Sequence, residues 1–556
     1  MALIHLFSVQ HFSVASLLRY FHTLRYLKPG QILGRVIFRF SRNTPDLRVS
    51  PPVRPASGSW GSCSRRLSML DAKTFLFLSV ARQVSTSADW NRADWPKLWV
   101  YNLHYFDDLN ADGSSARATW HRALIARWII ENPPGSGDGW DPYPTSLRIV
   151  NWIKWSIAGN PLGTQGVHSL AVQARWLSGR LEWHLLGNHL LANAKALLFA
   201  GSFFAGPEAD TWRQKALSIL RRELAEQILK DGGHFERSPM YHAIILADLL
   251  DLVQLALRYP EITEAESVVE WRRLATQMLH WLATMTHPDG EIALFNDAAF
   301  GIAPTLAALV AYAATLEIES PVSVASPSLT LLKESGYVRV RKGDANLIVD
   351  VGEIGPDYLP GHAHADTLSF EFSVCGRRVV VNSGTSEYGL GPERQRQRST
   401  AAHSTAQIDA MDSSEVWSGF RVARRARPID FSLNEGTEAV EVGCAHDGYR
   451  RLKGRPVHRR IWRMTNRMLR VCDVVDGGFR QAVARYHLHP DIAVSGDDRA
   501  GTLCMPGGFV IRWLIAGGQA RIVPSTWHPE FGQSVTTTCI ELLFQTHQAT
   551  MEFSWD

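Results

Sequence analysis

The chain has 556 residues, 45% of them apolar and 20% charged, with a net charge of +4. That length predicts two domains, each able to bury its own core. The charge is too small and diffuse for a nucleic-acid binder, although a cleft that gathers a few Arg and His can still attract a polyanion.

The first 60 residues read as an N-terminal arm. Its N-terminus carries His5, His11 and His22 and lacks a basic leader region and a cleavage site. The segment Arg25 to Arg42 mixes Leu, Ile, Val and Phe with Lys and Arg. It reads as a basic amphipathic helix, for which docking on the next domain is favoured over lying on a membrane. No apolar run reaches the roughly 18 residues of a membrane span. Six scattered cysteines show no CxxC pairing and no disulfide framework. Free thiols with no secretory signal point to the cytoplasm.

Residues 61–325 read as helices. From about Ala116 to Leu316, apolar residues recur every three or four positions. The helical stretches are Leu147 to Trp155, His168 to Trp183, His189 to Ala205, Thr211 to Leu229, Tyr241 to Arg258, Ser267 to Met285 and Ala303 to Leu316. Breakers such as Gly159-Asn160-Pro161 and Asp231-Gly232-Gly233 separate them. Many helices without strands between them predict a layer of paired helices. Pro321 to Pro327 is the expected linker. Residues 326–556 switch to short β-branched runs, including Tyr337 to Arg341, Leu347 to Val351 and Arg378 to Asn382. They predict antiparallel sheets packed face to face. The 19 tryptophans suit core packing or stacking on sugar rings.

The most informative motif is Gly361-His362-Ala363-His364-Ala365-Asp366. If it enters a strand, residues i and i+2 share a face, so both imidazoles look into one site. His403 follows in Arg398-Ser399-Thr400-Ala401-Ala402-His403. Three clusters sit at helix starts in the first half: Tyr143-Pro144-Thr145-Ser146, Gly187-Asn188-His189, and Ser238-Pro239-Met240-Tyr241-His242. Arg394, Arg396 and Arg398 alternate, and would line one face of an extended segment. Arg421, Arg424 and Arg425 form a second basic patch.

Together these segments, with Trp99 to Phe106, Trp140 to Pro144 and Asn382 to Tyr388, resemble the heparinase II/III-like polysaccharide lyases and related alginate lyases. The likeness runs from about Tyr20 to near the C-terminus. It implies an incomplete (α/α) toroid followed by an antiparallel β-sandwich, with the site in the cleft between them. It implies β-elimination on a uronate-containing glycan, such as a glycosaminoglycan, alginate or bacterial exopolysaccharide, and no cofactor for the chemistry. A glycan substrate would favour the periplasm or envelope over the cytoplasm. Oligomeric state is not legible.

The resemblance gives each group a role. Asn188 and His189 would neutralise the uronate carboxylate, Tyr241 would protonate the leaving oxygen, and either His362 or Tyr241 would take the C5 proton. Tyr143, His242, Arg394 and Arg398 are the expected substrate contacts. His364 and His403 match positions that bind a structural metal, usually zinc, in such proteins. Here Asn382 stands where an Asp is often found, and a neutral amide is the poorer ligand. Two other readings are a non-catalytic carbohydrate-binding or assembly protein, and a hydrolase using carboxylates among Asp297, Glu353 and Asp357.

Overall fold

The computed structural model describes residues 14–41, 43–319 and 327–556. The arm is two helices, α1 (Val14–Leu24) and α2 (Pro29–Phe40). Pro29 opens α2, where its fixed φ suits the first turn and its missing N–H costs no hydrogen bond. A short hairpin, Thr74–Phe77 with Val80–Gln83, comes next. Nine helices then form the toroid: α3 (Lys97–Tyr105), α4 (Ala118–Glu131), α5 (Pro142–Ile157), α6 (Gly163–Ser178), α7 (Gly187–Phe203), α8 (Pro207–Gln227), α9 (Pro239–Arg258), α10 (Ala265–Thr284) and α11 (Leu306–Thr315). The expected helices are all present, with ends displaced by a few residues.

Burial of the central helices explains their composition. Every residue of α7 is buried except His189. A helix apolar all round must lie inside, so its single opening marks the cleft. Helix α9 is long and apolar enough to cross a bilayer, yet 83% of its apolar window is buried within the toroid. Its Asp248 and Asp251 both accept from Lys195 of α7, so the pair of helices is pinned by a buried ionic cluster. The seven largest fully buried side chains are Trp90, Trp99, Trp128, Trp152, Trp281, Trp462 and Trp513, so packing accounts for much of the tryptophan content.

Among the described residues the second half is antiparallel throughout its sheets. A five-stranded meander runs Leu329–Leu332, Tyr337–Lys342, Ala345–Asp350, Phe370–Val374 and Arg377–Val380. It faces an eight-stranded sheet, and Phe370 meets Trp462 at 6.3 Å across the core. A four-stranded sheet completes the sandwich, its Tyr486 packing on Phe370 and Phe553. Most of the expected linker, residues 321–326 of 321–327, lies outside the described residues.

The two halves are sewn together by the segment after α10. Leu294 N–H donates to the Glu371 carboxylate, Asp297 N–H to the His362 carbonyl, and Phe300 N–H to the Pro529 carbonyl. This inserts a toroid loop against the sandwich where the histidine motif lies.

Candidate functional site

Asp297 is the hub. Its carboxylate is fully buried and accepts from His362 Nδ1 at 2.9 Å, His364 Nε2 at 2.8 Å and Arg394 Nη2 at 2.7 Å. Burial alone would raise its pKa, but Arg394 and the two histidines overcome that and hold the carboxyl well below its usual range. A carboxylate can only accept, so His362 carries its proton on Nδ1 and leaves Nε2 with a free lone pair. The motif 361–366 is a loop rather than a strand entry, and the next strand begins only at Phe370. The two histidines therefore converge because one carboxylate holds both, not because of the pleat.

The same aspartate fixes the start of α9. Ser238 is the N-cap of that helix, its hydroxyl accepting from Tyr241 N–H at 3.2 Å and donating to the Asp297 carbonyl at 2.5 Å. Tyr241 stacks on His362 with ring centroids 3.9 Å apart, and its hydroxyl is 3.0 Å from that of Tyr388. Burial, then the neighbouring Tyr388 and Asp297, push the Tyr241 phenol well above its ordinary pKa. It is protonated at neutral pH.

On the other wall stand Asn188 and His189, in the first turn of α7. His189 Nδ1 donates to Glu182 Oε1 at 3.0 Å, and the ring packs on Tyr143 at 4.6 Å. Burial disfavours the imidazolium, but Glu182 outweighs it and raises the pKa of His189. Glu182 is in turn held by Asn193.

Between the walls lies a residue that the sequence did not single out. Glu236 is 3% exposed, and its carboxyl has no side-chain hydrogen-bond partner among the described residues, only the Asn188 backbone N–H nearby. Its Oε2 is 3.6 Å from His362 Nε2, too far to hydrogen-bond. Burial raises its pKa against the opposing pull of His362, His189 and the Asn188 N–H. An unpaired buried carboxyl costs free energy unless a ligand completes it.

Backbone strain gathers at the same place. Leu186 adopts φ 63 and ψ −155, a region almost restricted to glycine, immediately before Gly187-Asn188-His189. Arg237 (φ 58) precedes the α9 cap and Asn296 (φ 57) precedes Asp297. Each such residue costs about 1–3 kcal/mol, offset elsewhere in the fold.

The structure unites Asn188, His189, Tyr143, Tyr241 and His362, but removes three expected substrate contacts. His242 is fully buried, accepting from His234 N–H, bonding the Met278 carbonyl and stacking on Trp281. Burial lowers its pKa to about 3. The alternating arginines lie on a helix, α12 (Pro392–Arg398), so residues i and i+4 share a face. Arg394 is spent on Asp297, and Arg398 donates to the Ala363 carbonyl at 2.9 Å, bracing the loop between the histidines. Only Arg396 of the three is not buried. In the second patch, Arg424 pairs with Glu415 and Arg425 with Asp357.

The three expected metal ligands, His364, His403 and Asn382, do not converge on one point. His403 Nε2 lies 3.2 Å from His364 Nδ1, while its Nδ1 lies 3.3 Å from the Asn382 side-chain amide. His364 and Asn382 thus stand on opposite edges of the His403 ring and cannot share a metal with it. Among the described residues no group of three His, Cys, Asp or Glu converges to hold one. Burial holds His364 at about 4 and His403 well below its ordinary value, so both are neutral struts behind Asp297. The carboxylates weighed for hydrolysis are also committed. Asp297 is saturated, Glu353 pairs with Arg427, and Asp357 with Arg425 and Arg427.

The site thus lies where a helical toroid and an antiparallel sandwich close on a Tyr–His pair. Comparison with known proteins narrows this. The description "Heparinase II/III-like, C-terminal" matches residues 325–556 and "Heparinase II/III N-terminus" matches 163–315, and the chain belongs to that family. A heparin-sulfate lyase of Pedobacter heparinus is 29% identical over 51% of this chain and 46% of its own length. The chain thus matches about half the length of that relative. FtsZ-localized protein C of Caulobacter vibrioides is 27% identical over 77% of this chain and 76% of its own. The crystal structure of heparinase III superposes with a TM-score of 0.67 at 16% identity, covering 97% of this chain and 89% of that one.

Proposed function

We propose that this protein is a polysaccharide lyase that cleaves a uronate-containing glycan by β-elimination. The observation that carries the reading is the pairing of His362 and Tyr241 by one residue, Asp297, through its buried carboxylate and its backbone carbonyl. Asp297 fixes the His362 tautomer and, through Ser238, the start of the helix bearing Tyr241.

The C5 proton of a uronate is weakly acidic, and its removal places charge on the adjacent carboxylate. Donors already aimed at that carboxylate lower the barrier more than any other single factor. His189, the Asn188 amide and, in its protonated form, the Glu236 carboxyl make up that set. His362 Nε2 takes the C5 proton as the C4–O4 bond breaks and the C4–C5 double bond forms. Tyr241 gives its proton to the departing O4, with Tyr388 hydrogen-bonded behind it. Each acid or base is worth typically about 10² to 10⁴ in rate. The heparin-sulfate lyase relatives support an acidic glycosaminoglycan as the substrate class, and a bacterial exopolysaccharide belongs to the same chemistry.

One observation favours a second reading, a non-catalytic assembly protein on this scaffold. The Caulobacter relative, matched over most of both chains, is named for localisation with FtsZ. Mass spectrometry of products separates the readings. An elimination fragment is one water lighter than its hydrolytic counterpart, whereas a binding protein leaves the glycan intact.

A further inference from the structure

Nine large apolar side chains stand out on the arm. On α2, Ile32, Leu33, Val36, Ile37 and Phe40 are 51–77% exposed, and on α1, Leu17, Leu18, Phe21 and Leu24 are 42–59% exposed. Their spacing puts each set on one side of its helix. The opposite sides are already engaged. Lys28 pairs with Glu226, Gln31 donates to the Tyr358 carbonyl, and Gly34 lies against the His184 backbone with no room for a side chain. Thr23 accepts from Trp417 across the sandwich edge. The arm therefore spans both domains with its polar and small residues and Phe38, which packs on His184, and turns most of its apolar ones outward. Soluble proteins rarely leave so dense an apolar surface in water.

Charge identifies what covers it. The first 45 residues contain six Arg and Lys and no Asp or Glu. Arg19, Arg25 and Arg39 are exposed beside the apolar stripes. A second copy pairing through this face would bring like charge against like, because a two-fold interface matches a patch with itself. An anionic lipid surface instead supplies apolar depth and the missing counter-charge.

We propose that the α1–α2 arm seats this protein on an anionic membrane surface. The apolar stripes enter the headgroup boundary, the arginines meet lipid phosphates, and the glycan cleft is held at the bilayer.

The test is co-sedimentation of the full chain with vesicles of phosphatidylglycerol and phosphatidylcholine in equal parts, and with phosphatidylcholine alone. The protein should pellet with the anionic vesicles, stay in solution with the neutral ones, and be released by salt. Leu33→Asp with Ile37→Asp should reduce the bound fraction by about tenfold or more, since charged groups resist insertion. Its melting temperature should match wild type because both positions face outward. Phe40→Ser, a milder change at the most exposed residue, should weaken binding in the same direction. Absent binding to anionic vesicles, or equal binding by the variants, would overturn the proposal. So would a wild-type dimer that the variants dissociate without any vesicle binding, which would give the face to a second copy.

Discussion

Replacing Glu236 by Gln separates two roles that a buried carboxyl can have. It has no side-chain hydrogen-bond partner, and burial raises its pKa beside His362 and His189. If it donates a hydrogen bond to the substrate carboxylate, Gln retains a donor at nearly the same position, while Ala retains none. Loss of one preorganised donor costs about 2.7–4 kcal/mol, or 10² to 10³ in kcat. Glu236→Ala should therefore fall by about that factor and Glu236→Gln by far less. The pH profile carries a second signature. Wild-type activity should decline on the alkaline side as Glu236 ionises, and that limb should vanish in Glu236→Gln.

The sign for stability follows from the same shift. A carboxyl whose folded pKa is raised is destabilised by each pH step above the unfolded value of about 4.3, until it ionises in the folded state. Glu236→Gln should melt higher than wild type at neutral pH, with the gap closing as pH falls toward about 4. The reasoning is refuted if Gln and Ala lose activity equally and the alkaline limb persists in both, because Glu236 would then act as a charged base.

Other consequences follow from the hub. Asp297→Asn should lower kcat by about 10³ to 10⁴ by releasing the His362 tautomer, measurable with the fold checked by circular dichroism. It should also cost about 3–5 kcal/mol in denaturant, because the buried Arg394 loses its partner. Ser238→Ala removes the α9 cap at about 1 kcal/mol and should reduce activity beyond what that loss explains, read as kcat at a temperature where the protein is fully folded. A chelator should leave both activity and melting temperature unchanged, and elemental analysis should find no stoichiometric zinc, since the His364–His403–Asn382 chain closes without a metal.

The sequence carried the architecture well because each half has one periodicity throughout. Helical spacing ran unbroken through α5 to α11, and β-branched alternation began where the sheets do. The site was legible only where a residue type announces itself. His362, Tyr241 and His189 did so, whereas Asp297 and Glu236 are single carboxylates in loops with no spacing to mark them. Their importance comes from tertiary contacts, namely several side-chain donors converging on Asp297 and none on Glu236. The arginines were misread because alternation lines one face of an extended segment, whereas on a helix it puts Arg394 and Arg398 on one side and Arg396 on the other. Gly391-Pro392-Glu393 held the corrective signal, since Pro and an acid in the first turn mark a helix start. His242 was misplaced because the turn after a helix start rotates adjacent residues to opposite sides, so Tyr241 opens to the cleft and His242 to the core.

The central claim is elimination by the His362–Tyr241 pair. Its most direct test is the ultraviolet absorbance of the conjugated 4,5-unsaturated uronate during incubation with a panel of acidic polysaccharides. The panel runs from heparan sulfate to alginate and bacterial exopolysaccharides. Wild type should produce the absorbing product from at least one of them, and Tyr241→Phe and His362→Ala should each abolish it while remaining folded. Cleavage without absorbance, or undiminished absorbance in both variants, would contradict the mechanism. Binding without any cleavage across the panel would transfer the protein to the non-catalytic reading.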